Sequence, residues 1–165
     1  MKLIAYVASA VTVLAIGVAG VMLTRTDAAP SVAYTLLDGS KHRTDQWRGQ
    51  VVLVNFWATS CSTCIKEMPQ IAATHDMFKA RGYETLAVAM SYDPPAYVIN
   101  FAETRRLPFR VAMDHDGLIA RSFGNVQLTP TSVLINKRGD IVKRYVGEPD
   151  FAELHALIDK LLAET

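Results

Sequence analysis

From Val51 to Phe56 the chain reads Val-Val-Leu-Val-Asn-Phe, an apolar run without the polar alternation of a half-exposed strand. A strand loses that alternation when both of its faces are covered, which requires packing layers above and below the sheet. The run therefore predicts a buried strand in an α/β domain. The segments around it agree. Cys61 to Ala80 has helical spacing, with Ile65, Met68, Ile71 and Ala72 on one side and Gly82 at the end. Thr85 to Met90 reads as a second buried strand, and Asp93-Pro94-Pro95 as a helix start with Asp93 as N-cap. That helix carries Val98, Phe101 and Ala102 and ends before Pro108.

Shorter elements follow. Arg110 to Met113 predicts a strand and Leu118 to Phe123 a short helix after Asp116-Gly117. Thr131 to Ile135 and Ile141 to Val146 form a hairpin across Lys137-Arg138-Gly139-Asp140, and Asp150 caps an amphipathic helix through Leu161. Ahead of all these, Val32 to Leu37 and Lys41 to Arg43 flank Asp38-Gly39, a hairpin turn signal. Crossover helices between strands imply a parallel core, and the last hairpin is expected to add antiparallel edge strands.

The N-terminus is of a different kind. Leu3 to Leu23 is 21 residues without a charge, bounded by Lys2 and Arg25. A bilayer-spanning helix needs roughly 20 apolar residues, and a signal-peptide hydrophobic region only about 7–15. The segment is read as a membrane anchor, with cleavage near Gly17-Val18-Ala19 the alternative. The Lys and Arg near its ends do not favour an outside body. The very short N-terminal flank is that of a signal anchor, which places the body outside the cytoplasm, where disulfides persist. Residues 1–29 are thus expected to be anchor and tether (Thr24 to Ser31 being polar), and 30–165 one domain. From Pro30 onward 15 Lys plus Arg face 15 Asp plus Glu. That balance offers no basic surface for nucleic acid.

The cysteine complement is two residues, Cys61 and Cys64. A bridge between them closes almost no loop, so it adds little to folding, and the pair points to chemistry instead. Cys61 falls where the strand ends and the helix starts. Unpaired N–H groups and the helix dipole there favour a thiolate. Cys64 lies one turn further on the same face, within reach of a disulfide. Cys61 would attack a partner disulfide and Cys64 would resolve the mixed disulfide.

Val54-Asn55-Phe56-Trp57-Ala58-Thr59-Ser60-Cys61-Ser62-Thr63-Cys64-Ile65-Lys66-Glu67-Met68-Pro69 resembles the active-site segment of membrane-anchored thioredoxin-like oxidoreductases. The likeness is to the TlpA/ResA type and the cytochrome c maturation reductases, and it extends from Val32 to the last helix. Leu128-Thr129-Pro130-Thr131 is similar to that family's cis-proline loop, and Ser91 to Asp116 to its inserted helix and strand. The resemblance implies an α/β thioredoxin-like fold, a central mixed sheet flanked by helices, with an N-terminal hairpin and a single N-terminal transmembrane helix. It implies no cofactor beyond the redox-active Cys61–Cys64 disulfide and no metal. Trp57 would form an apolar shelf beside the disulfide, Pro130 would hold the Thr129 backbone extended for a substrate strand, and Glu67 would tune or shuttle protons.

The implied partners are protein disulfide substrates (apocytochrome c or copper-site assembly proteins), an inner-membrane electron donor, and the membrane through the N-terminal helix. The domain is expected to be a monomer, in the inner membrane with its catalytic part in the periplasm.

Three departures qualify the likeness: Ser60 replaces a bulky residue, Ser62-Thr63 lacks proline and histidine, and Asn55 stands where thioredoxin has a buried acid. The alternative is a Sco-like copper chaperone using Cys61, Cys64 and His115, although such proteins space their cysteines one residue wider. Zinc would want four ligands, and a peroxiredoxin would need a proline absent here. Glu67 also reads simply as a first-turn helix acid. His42, His75 and His155 read as surface residues, and Met68, Met77 and Met90 as core.

Overall fold

The computed structural model describes residues 27–164. The strands are β1 (Asp27–Ala28), β2 (Ala33–Thr35), β3 (Lys41–Arg43), β4 (Val51–Trp57), β5 (Tyr83–Ala89), β6 (Arg110–Met113), β7 (Thr131–Ile135) and β8 (Asp140–Val146). The helices are α1 (Ser62–Phe78), α2 (Pro95–Arg105), α3 (Leu118–Ser122) and α4 (Phe151–Ala163). Six strands make one sheet in the order β1-β8-β7-β4-β5-β6, and β2-β3 is a separate hairpin. The strands β4, β5 and β6 run parallel, and β7 is antiparallel to β4.

Every residue of β4 is buried, as a strand that is apolar on both faces apart from Asn55 requires. Alternate residues serve the two faces. Val51, Leu53 and Trp57 join α1, α2 and α4 in one core cluster. Val52, Val54 and Phe56 join the leading hairpin and α3 in the other. Asp150 caps α4 by accepting from the N–H groups of Ala152 and Glu153, as expected from the sequence.

Five expectations are corrected. Of the hairpin β7–β8, expected at the sheet edge, only β8 lies there: β7 sits between β4 and β8, and β1 covers only Asp140 and Ile141 at the start of β8. Asp27 and Ala28, read as tether, are that covering strand. Met77 is 57% exposed, while His75 is buried against Phe109 and Tyr83. Asp93 is not the N-cap of α2, because Pro94 takes that place with Pro95 at N1. Proline favours the first helical position and forces its predecessor into extended backbone, so the cap moves one residue past the aspartate.

The anchor expected over Leu3 to Leu23 lies outside the described residues. Among the described residues no helix is long and apolar enough to cross a membrane.

Candidate active site

The sheet register gathers the site. Phe56 pairs with Thr131 and Trp57 with Ala89, and Ala89 in turn with Met113. One end of the sheet therefore carries the loop before Cys61, the segment after β5, the segment after β6 and the Leu128–Pro130 loop. The Thr129–Pro130 peptide bond is cis, as the resemblance implied. Tyr92, from the segment after β5, brings its hydroxyl to 3.4 Å from the Thr129 hydroxyl.

Cys61 and Cys64 form a disulfide with their Cα atoms 5.2 Å apart. Cys61 is the N-cap of α1 in extended conformation, and its sulfur accepts from the Cys64 N–H at 3.2 Å. This places Sγ among the unpaired amides of the helix start, where a negative charge is stabilised. Cys61 is half-buried and Cys64 is 0% exposed. Only the first sulfur can meet a macromolecule; the second sits beneath it with Met68 and Trp57.

Trp57 is also 0% exposed. Its ring is 5.2 Å from that of Phe101 on α2, and its indole N–H has no hydrogen-bond partner. The shelf expected of it is absent: Trp57 is core, roofed by α2. Exposed apolar side chains at this end of the sheet include Tyr92, Leu128 and Val146. Trp57→Phe keeps an aromatic ring and removes an orphaned donor at the cost of a small cavity, so it should leave the exchange rate nearly unchanged. Trp57→Ala should cost about 3–5 kcal/mol by cavity formation, read by denaturant unfolding. A weakened substrate KM in a fully folded Trp57→Phe would restore the shelf.

Glu67 is 0% exposed, one turn beyond Cys64 on the same face of α1. Its Oε1 accepts from the Asn55 side-chain amide at 3.0 Å, and that amide also donates to the Ser132 hydroxyl at 2.9 Å. Its Oε2 has no partner. Burial pushes the Glu67 carboxyl up to about 7; the Asn55 hydrogen bond opposes this and the nearby Glu148 charge adds to it. Lys66 holds Glu148 at 3.0 Å. Asn55, standing where thioredoxin has a buried acid, is thus linked directly to Glu67, for which the sequence offered both a proton-shuttling role and a plain helix acid.

His115 is exposed on the segment after β6. Among the described residues no group of three or more His, Cys, Asp or Glu is placed to hold a metal ion.

Residues 24–158 match the family model described as Redoxin. The chain belongs to the Redoxin family. A ResA thiol-disulfide oxidoreductase from Bacillus thuringiensis subsp. konkukian is 35% identical over 133 residues, covering 81% of this chain and 76% of the relative. The ResA protein of Geobacillus kaustophilus is 35% identical over 119 residues, covering 72% and 67%. A Neisseria meningitidis protein solved as a candidate thioredoxin superposes with a TM-score of 0.79 at 39% identity, over 86% of this chain and 93% of that one. With the Cys61–Cys64 bridge, these relatives make the chain a thioredoxin-like thiol–disulfide oxidoreductase.

Two neighbours of the cysteines escaped the sequence reading. Asp93 donates no cap to α2; its carboxylate instead accepts from Thr59 in the loop before Cys61. Ser132 reaches Asn55 only through the β4–β7 register. The signal for Asp93 was the double proline behind it.

Proposed function

We propose that this domain reduces disulfides in other extracytoplasmic proteins, held at the inner membrane by its Leu3–Leu23 segment. The observation that carries the reading is the asymmetry of the pair, with Cys61 accessible at the helix N-cap and Cys64 buried behind it. In the dithiol form the Cys61 thiolate attacks one sulfur of the partner disulfide, and the other partner sulfur leaves as a thiolate. Cys64 loses its proton and attacks Cys61 Sγ, which releases the partner dithiol and leaves Cys61–Cys64 oxidised. A membrane dithiol donor then restores the reduced form.

Glu67 takes the Cys64 proton during resolution. With its carboxyl near 7 it is part-ionised at neutral pH, the condition that suits a general base. The substrate lies extended along the Leu128–Pro130 loop. Among the described residues the Thr129 main-chain N–H and C=O make no hydrogen bond, which leaves them open to pair with an added strand. Cysteines of apocytochrome c or of a copper-site assembly protein are the substrates that the likeness to cytochrome c maturation reductases supports.

The test is the equilibrium potential of the Cys61–Cys64 couple against glutathione and dithiothreitol. A value towards the roughly −270 mV of thioredoxin is expected, and one near about −120 mV, that of a strong oxidant, would overturn the direction of electron flow. Cu(I) titration of the same reduced protein should show no tight binding; binding lost in Cys64→Ala would support the chaperone instead.

A further inference from the structure

Asp93 is 2% exposed, and both of its oxygens are committed to a single residue. Its Oδ2 accepts from the Thr59 main-chain N–H at 2.6 Å and its Oδ1 from the Thr59 hydroxyl at 2.5 Å. Thr59 stands two residues before Cys61, in the turn that carries the chain from β4 into α1. The other ties of that turn are main-chain ones: Met90 N–H to Trp57 C=O at 3.0 Å and Cys61 N–H to Ala58 C=O at 3.1 Å. Asp93 is itself braced, its N–H donating to Met90 C=O at 2.9 Å. The end of β5 thus grips the nucleophile turn through one buried carboxylate.

This grip matters most when the disulfide is open. In the oxidised form the covalent bridge keeps Cys61 over the helix start. In the dithiol form that bridge is gone, and Sγ stays at the Cys64 amide only if the extended N-cap conformation of Cys61 is maintained. Ser60, between the clamp and the cysteine, is exposed.

We propose that Asp93 is a positioning residue for the Cys61 thiolate, acting through Thr59 to keep the sulfur among the helix-start amides. The proposal rests on the dithiol chemistry above but not on any particular substrate. Losing the clamp lets the turn shift and weakens the amide contacts to the anion, which raises the thiol's pKa. The charges around it are Asp93 itself, Glu67 on the same helix and the Lys66–Glu148 pair. Because losing the Asp93 charge acts in the opposite direction, the uncharged Thr59→Val isolates the clamp.

The experiment follows the rate of Cys61 alkylation by iodoacetamide against pH in a Cys64→Ser background, where Cys61 is the only thiol. Asp93→Ala should move the midpoint up by about one unit, the scale of one hydrogen bond to a charged group. Asp93→Asn, which keeps one oxygen for the Thr59 N–H, should move it less. A Thr59→Val protein with native circular dichroism and an unmoved midpoint would overturn the proposal, because it loses the hydroxyl arm of the clamp with no change of charge, and a merely structural contact lowers the melting temperature without changing the titration. Should Asp93→Ala not fold, Thr59→Val decides, since it removes only the hydroxyl arm: an upward shift supports the clamp and an unshifted midpoint rejects it. Alkylation needs no disulfide substrate, so a wild-type protein that failed to reduce partners would sink the reductase reading and leave this measurement intact.

Discussion

Cys61→Ser should abolish disulfide exchange, lowering turnover at least about a thousandfold, whereas Cys64→Ser should stop the cycle half-way and accumulate a covalent adduct. The two outcomes differ because the two sulfurs stand in different places. Cys61 is half-buried at the start of α1 and Cys64 is wholly buried. With Cys64 alone, no sulfur is accessible to a protein disulfide. With Cys61 alone, attack proceeds, the partner's second sulfur leaves, and nothing remains to release the first. The adduct is read by mass spectrometry of the Cys64→Ser protein after incubation with a periplasmic extract, and it should dissolve in dithiothreitol. Exchange persisting in Cys61→Ser would reverse the assigned order. An extract that yields no Cys61 adduct at all would remove dithiol exchange as the protein's activity.

The placement of the two cysteines, one at the helix start and one beneath it, was legible in the sequence because it depends on local spacing alone. A cysteine at a strand-to-helix junction is a helix cap, and one three residues later is on the same helix face. The buried strand β4 was legible for a similar reason, since both of its faces are apolar. Most of what failed depended on partners far along the chain. Trp57 beside a catalytic loop reads as a surface aromatic until Phe101, 44 positions later, is seen to roof it. The inner position of β7 was hidden because a hairpin's spacing does not say which of its strands meets the rest of the sheet. His75 carries a polar ring, and only the packing of Tyr83 and Phe109 against it marks it as buried. Asp93 was misplaced by one residue because proline chemistry outweighed the preference of Asp for an N-cap. Glu67 is the intermediate case: the residue was visible, but its pairing with Asn55 and Ser132 required the fold.

That pairing gives Glu67→Gln two opposite effects, a slower enzyme and a more stable one. The carboxyl has an ordinary value near 4.5 and is pushed up to about 7 in the folded protein, chiefly by burial. Between those values the unfolded chain has released the proton and the folded one retains it, so the folded state binds more protons. Stability therefore falls as pH rises from about 4.5 to about 7 and levels off above, by about 3 kcal/mol at most. Glutamine has no proton to lose and can still accept from Asn55, so the Glu67→Gln unfolding free energy should lose this decline, keep only the rise with pH that the buried His75 contributes, and exceed that of wild type above pH 7. Chemical denaturation at a series of pH values measures it.

Catalysis should move the other way. Without a base one turn from Cys64, resolution should slow about a hundredfold, within the range of general acid–base effects, and its inflection near pH 7 should vanish. Formation of the Cys61 adduct in the Cys64→Ser background should keep its rate, because Glu67 takes no part in the first attack. If Glu67→Gln retained the wild-type pH profile of resolution, the proton would have another acceptor and the buried carboxyl would be only a stability cost. A protein that gains stability and loses resolution from one neutral replacement is one in which the buried charge is maintained for the chemistry of Cys64.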